Sequence, residues 1–199
     1  MTENVLPQAS LDQLFLQART FHYWQDKAVS DEILKQLYEL MRWAPTSMNC
    51  NPVRIHFLRT VEAKERLYPA LDEGNIRKVE GAPVTAIVAY DRRFHDQLPT
   101  LFPHIDARAK FVGNEPLIED TAFRNGTLQG GYMILAARAL GLDCGPLSGF
   151  DNDQVDRLFF AENDRHLRSN FLCNLGYGAV DQLKPRGARL EFETACRLL

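Results

Sequence analysis

Four short segments of this 199-residue chain gather polar side chains beside glycine or proline. They are Arg19-Thr20; Ala44-Pro45-Thr46-Ser47-Met48-Asn49-Cys50-Asn51-Pro52; Gly74-Asn75-Ile76-Arg77-Lys78; and Asp143-Cys144-Gly145-Pro146-Leu147-Ser148-Gly149-Phe150, with Gly176-Tyr177-Gly178 and Lys184-Pro185-Arg186 further on. Each is expected where a helix or strand ends. Taken singly, each reads as a turn with solvated basic residues, because Asn, Ser, Pro and Gly are what turns are made of. Several catalytic signatures are missing. No G-x-G-x-x-G follows a strand and no G-x-x-x-x-G-K occurs, so neither a Rossmann dinucleotide site nor a P-loop is signalled. No H-E-x-x-H or paired Cys/His spacing supports a metal, and the five histidines (22, 56, 95, 104 and 166) stand apart. In Gly145-Pro146-Leu147-Ser148-Gly149 the serine falls one position too late for the G-x-S-x-G nucleophile elbow.

The elements that must position these segments are legible from periodicity. Ser10-Leu11-Asp12-Gln13 has the form of a capping box and predicts a helix running to about Arg19. Ile33, Leu37, Leu40 and Met41 recur at helical spacing and predict a helix over Asp31–Trp43, which Pro45 ends. Val53–Leu58 alternates as a half-buried strand does, and Thr60 caps a short helix through Leu71. Val84–Tyr90 is a near-continuous apolar run, expected to be a strand buried on both faces. Residues 91–116 read as irregular. A long helix is predicted from Pro116 to Leu140, ended by Gly141; its Gly126, Gly130 and Gly131 imply that something packs against that backbone. Asp151 caps a helix to Phe160, Asn170–Gly176 is a strand, and a short segment, Leu190–Leu199, ends the chain.

Composition bounds the rest. The chain is 45% hydrophobic and 25% charged with a formal net charge of −3, ordinary for a globular protein. Residues 1–199 are expected to form one domain, since no repeat or Pro/Gly/Ser-rich linker divides them. The densest basic clusters, Arg92-Arg93 and Lys184-Pro185-Arg186, are too short for a polyanion tract, so no nucleic-acid partner is expected. Cys50, Cys144, Cys173 and Cys196 form no C-x-x-C pair and read as reduced thiols. No stretch reaches the ~18–20 apolar residues of a membrane helix, and the first residues do not read as a signal peptide. The expectation is a soluble, cytoplasmic protein with no membrane partner.

The order of the polar segments carries more than any one of them. R-T near the start, W-A-P-T-S-M-N-C-N-P, G-N-I-R-K ahead of A-P-V-T-A-I-V, A-L-G-L-D followed by G-P-L-S-G-F, and G-Y-G with K-P-R together resemble the flavin nitroreductase family over nearly the whole chain. Within it, F-P-H-I-D-A-R, T-A-F-R-N and G-P-L-S-G-F look most like the malonic semialdehyde reductase branch of the pyrimidine-degradation (Rut) pathway.

That resemblance implies an α+β, three-layer fold with a central, mostly antiparallel sheet flanked by helices, in an interlocked homodimer with FMN at the interface. It implies that Arg19, Thr20, Lys184 and Arg186 bind the FMN phosphate. Pro45, Thr46, Ser47 and Asn49 would approach the ribityl chain or ring edge from the partner subunit. Asn75 would bond the pyrimidine edge, and Lys78 would lie near the side of the ring where charge gathers on reduction. Gly145, Pro146, Leu147, Ser148 and Gly149 would present backbone to the ring. Many relatives carry R-R-S-x-R at the first segment. Here the sequence is Ala18-Arg19-Thr20-Phe21-His22, so one phosphate contact is missing and His22 reads as a surface or helix-end histidine.

The implied activity is ping-pong hydride transfer from NAD(P)H, as co-substrate, through FMN to a small-molecule acceptor. Reduction of malonic semialdehyde (3-oxopropanoate) to 3-hydroxypropanoate is one option. Arg108 is then the candidate anchor for the substrate carboxylate, against the alternative of a surface salt bridge. The rivals are a broad nitro or quinone reductase, a flavin-destroying or dehalogenating relative, and a non-enzymatic flavin-binding sensor.

Overall fold

In the computed structural model, which describes residues 4–199, the chain begins with helix α1 (Gln8–Leu11), continued by a π-helical turn over Asp12–Leu16. The expected capping box is not formed. Pro7, whose ring presets φ, takes the N-cap position, and no side chain caps the first turn. The helix therefore starts early and is finished before Arg19. Helix α2 (Asp31–Met41) is capped by the Ser30 hydroxyl, which accepts from Ile33 N. It stops short of Trp43, as the approach to Pro45 demands.

Strand β1 (Val53–Leu58) follows, then α3 (Val61–Glu65) with Thr60 as its cap. Pro69 replaces the expected continuation to Leu71 with a tight 3₁₀ turn over Tyr68–Ala70. Next come α4 (Glu73–Glu80), β2 (Val84–Asp91) and the short α5 (Leu98–Leu101). The long α6 (Glu115–Ala139), capped by the Asn114 side chain, leads into β3 (Asp143–Leu147). Helix α7 (Asn152–Phe159), capped by Asp151, then β4 (Leu167–Gly176) and α8 (Phe192–Ala195) complete the order.

Two segments expected as turns are regular elements. Gly74–Lys78 lies inside α4, and Asp143–Leu147 is an edge strand. Tertiary pairing overrides the turn-like composition in the second case. Pro146, which has no N–H to donate, is tolerated there because β3 has β4 on only one side.

All four strands are antiparallel, in the order β1-β2-β4-β3. Side-chain alternation along β2 divides the core in two. Val84, Ala86 and Val88 pack with Leu37, Met41 and Met133 on the α2/α6 side. Ile87 and Ala89 pack with Leu67, Val79, Val155 and Phe160 on the α3/α4/α7 side. The result is three layers, helix–sheet–helix, with β2 buried on both faces as its apolar run predicts.

Helix α6 crosses the sheet closely. A Cβ on Gly126 would lie 3.0 Å from the Tyr90 Cβ, and one on Gly130 only 2.6 Å from the Phe171 ring, whereas Gly131 faces open space. Residues 91–116 are more ordered than expected: short helical turns bury Phe94, Leu98, Ala107 and Phe111 against Ile118 and Ala122. Among the described residues no helix is long and apolar enough to cross a membrane.

Candidate functional site

Residues 20–25 run from α1 past β3, making isolated bridges at Thr20 and Trp24. Thr20 bridges Cys144, Phe21 N donates to Cys144 O at 3.0 Å, and Gln25 N donates to Tyr177 O at 2.8 Å. Phe21 is buried, while Thr20 and His22 are exposed. The latter two line a cavity of about 270 Å³ together with Arg19, Arg138, Lys184, Arg186 and Arg189. Arg19 Nη2 donates to Lys184 O at 2.5 Å and Arg186 Nη2 donates to Ala18 O at 2.9 Å. The two remote segments thus hold each other by reciprocal bonds.

Among the described residues, no carboxylate lines this cavity. Among the described residues, none of its five Arg and Lys side chains makes a salt bridge. Arg138 uses Nη1 on Leu14 O, while its Nε is buried with no hydrogen-bond partner. Concentrated cations with spare donors and no acid form a site for an oxyanion.

The next two segments meet beside it. Asn174, buried on β4, accepts from Thr85 Oγ1 at 2.7 Å and donates to Lys78 O at 2.8 Å, which fixes α4 on the sheet. Lys78 Nζ donates to Asn75 Oδ1, and Asn75 Nδ2 donates to Gly149 O, each at 2.8 Å. Asn75 therefore braces both the lysine and the glycine turn, with one N–H and one acceptor site left over. Backbone approach is tight throughout. A Cβ on Gly149 would collide with Asn75 and Asp72, and one on Gly145 with Phe21 O. Lys78 and Lys184 both act on His22: burial first, then these two charges, lower its pKa below the usual histidine value.

Pro45–Asn51 lies elsewhere. It leads into β1, the sheet edge opposite β3, three strand spacings or about 14 Å away. Asn125 Oδ1 accepts from Ser47 N at 2.8 Å, Asn49 Nδ2 donates to Leu101 O at 3.0 Å, and Thr46 Oγ1 accepts from Asn51 N at 3.3 Å. Met48, Asn49 and Asn51 have φ of 51°, 50° and 41°. Asn visits this left-handed region readily, whereas Met48 costs roughly 1–2 kcal/mol there. Stored strain of this kind concentrates at binding sites.

The structure thus brings Arg19, Thr20, Asn75, Lys78, Gly145–Gly149, Lys184 and Arg186 to one side of the molecule and leaves Pro45, Thr46, Ser47 and Asn49 at the other edge. Arg108 is at neither. Its guanidinium is paired with Asp96 at 3.1 Å, and Asp96 also holds Arg93. Sequence reasoning missed Arg138 and Arg189 as lining residues and placed His22 outside the site. Arg138 is embedded in a long helix whose pattern reads as core packing, and Arg189 had no motif around it. The fifth position of the R-R-S-x-R arrangement was the available signal for His22.

The sheet is antiparallel with a helical layer on each face, and the basic cavity lies at its β3 edge. The chain matches the profile of the Nitroreductase family over residues 17–177, and it belongs to that family. It is 54% identical over 196 residues to a "Putative NADH dehydrogenase/NAD(P)H nitroreductase" of Polynucleobacter asymbioticus, covering 98% of this chain and 99% of that one. It is 55% identical, with the same coverage, to a protein of the same description from Rhodopseudomonas palustris. Among solved structures, a nitroreductase of Exiguobacterium sibiricum in complex with FMN superposes with a TM-score of 0.84 at 24% identity, covering 100% of both chains.

Proposed function

We propose that this chain is an FMN-dependent oxidoreductase that uses NAD(P)H to reduce a small acceptor and works as a homodimer. The observation that carries the reading is the basic pocket, with an unpaired buried Arg138 Nε, close enough to Lys78, which Asn75 braces alongside Gly149, for that charge to act on His22. Those residues fit a flavin phosphate at one end and an electron-accepting ring at the other, and family membership supports the same assignment. Held by these residues, FMN would supply two-electron chemistry between NAD(P)H and the acceptor.

The chain's own residues bind and orient. Arg19, Arg138, Lys184 and Arg186 hold the phosphate through charge-assisted hydrogen bonds, with the Thr20 hydroxyl alongside. Lys78, kept in place by Asn75 and Asn174, sets a fixed cation where negative charge would develop, and its preorganised position avoids reorganisation during reaction. Gly145, Pro146, Leu147, Ser148 and Gly149 give the ring an edge of backbone free of obstructing side chains. A second copy supplies Pro45, Thr46, Ser47 and Asn49, since one chain holds that segment on the far edge of its sheet. This is the physical reason for proposing the dimer.

For the acceptor, we favour a broad range of nitro compounds or quinones. Malonic semialdehyde is the narrower option suggested by F-P-H-I-D-A-R, but a substrate carboxylate would have to displace Asp96 from Arg108.

The test is the visible spectrum of the purified protein before and after anaerobic NADH, followed by addition of each acceptor. A yellow protein that releases FMN, bleaches with NADH and regains colour with nitroarene or quinone is the expected result. Recolouring by malonic semialdehyde alone would favour the narrower substrate. A colourless protein that takes up no FMN would overturn the assignment.

A further inference from the structure

The pocket contains one group whose charge is variable near neutral pH. His22 lies two residues beyond Thr20 and lines the same cavity. Every other charged group there is a permanent cation: Arg19 on its own segment, Arg138 from α6, and Lys184, Arg186 and Arg189 from the C-terminal segment. Lys78 acts on it from α4. Asp143 interacts with Arg138 and accepts from Gly178 N at 2.8 Å, but it does not line the cavity. Burial, Lys78 and Lys184 lower the His22 pKa below the usual histidine value.

We propose that His22 is a proton-linked ligand of the phosphate: seating the dianion protonates it, so that cofactor retention weakens as pH rises. The proposal rests on the phosphate-pocket reading above. A neutral imidazole among five cations and a dianion has every reason to charge once the dianion screens its neighbours, and the imidazolium then donates a charge-assisted hydrogen bond.

The sign follows from linkage. The pKa of His22 in the empty protein lies below the ordinary value, lowered by burial, Lys78 and Lys184, and the dianion raises it. The gain in affinity is fully present below the lower value and is lost as pH rises through the raised one. A difference of one unit between the two states corresponds to about tenfold in affinity.

The experiment is FMN binding by the flavin-free full-length protein, followed by quenching of flavin fluorescence between pH 7 and pH 9. Phosphate, whose second pKa is about 6, stays dianionic over that range. The Kd of the wild type is expected to rise roughly twofold more than that of His22→Arg, which carries a fixed charge. His22→Asn is expected to bind roughly twofold more weakly than wild type at pH 7 and equally at pH 9. Riboflavin, which lacks the phosphate, should show no difference among the three. Equal pH profiles for FMN in wild type and His22→Asn would overturn the proposal while leaving the cofactor assignment intact. An equal effect on riboflavin would overturn it too, by placing His22 against the ring. Failure of the wild type to bind FMN at any pH would remove the cofactor assignment and the proposal with it.

Discussion

At the scale of single residues, the site is organised by side chains that hold other side chains. Lys78 is fixed twice: through its ammonium on Asn75 Oδ1 and through its carbonyl on the buried Asn174 amide. A cation so constrained favours a negatively charged, reduced ring without having to move. Lys78→Met is therefore expected to make the midpoint potential of the bound flavin more negative. The shift should be about 30 mV for every 1.4 kcal/mol of charge stabilisation lost in a two-electron couple. Potentiometric titration of the wild type and the variant reads this directly. An unchanged potential would mean that the ammonium serves only to brace Asn75. Some of this was readable from residue types, since G-N-I-R-K paired an amide with a lysine at helical spacing. The role of Asn174 was not, because one asparagine in a strand pattern does not show which carbonyl it will meet from another layer.

At the scale of elements, the close crossing of α6 over the sheet gives a paired test. Gly130→Ala would drive a methyl against the Phe171 ring, and overpacking of that kind typically costs about 1–3 kcal/mol. Gly131→Ala meets nothing and should gain roughly 0.5–1 kcal/mol from the lower entropy of the unfolded chain. Urea unfolding of both variants decides it; equal destabilisation would mean that the ring moves aside and the helix itself is the weak point. The same helix shows what sequence could convey. Its length and two of its three glycine contacts were legible, as were β1 and β2, because periodicity and uninterrupted apolar runs are local properties. Strand β3 was hidden, since Gly145-Pro146 has the composition of a turn and becomes a strand only by pairing with β4. Helix α4 was hidden for a related reason: it is eight residues long, contains Gly74, and is anchored by contacts to other layers.

At the scale of the whole molecule, the separation of Pro45–Asn49 from Lys78 predicts a division of labour between subunits. Lys78→Met and a variant altered at Thr46 and Ser47 are each expected to lose most activity. Unfolded and refolded together, they should recover activity, because one of the two sites in a mixed dimer draws an intact Lys78 from one chain and an intact Thr46 and Ser47 from the other. No recovery in a sample shown by sedimentation to contain mixed dimers would place both segments in one subunit's site. The phosphate pocket raises a different matter, one of timing. Arg19 and Lys184 are joined across 165 positions and Arg186 and Ala18 across 168, among the longest-range contacts in the fold. Ordering so long a loop carries an entropic cost that only the remaining structure can offset. During synthesis the sheet can assemble through β4 while the pocket still lacks three of its five cations. The cofactor therefore has no complete seat until residue 189 has emerged, and a nascent chain that stalls earlier would leave the ribosome folded but colourless.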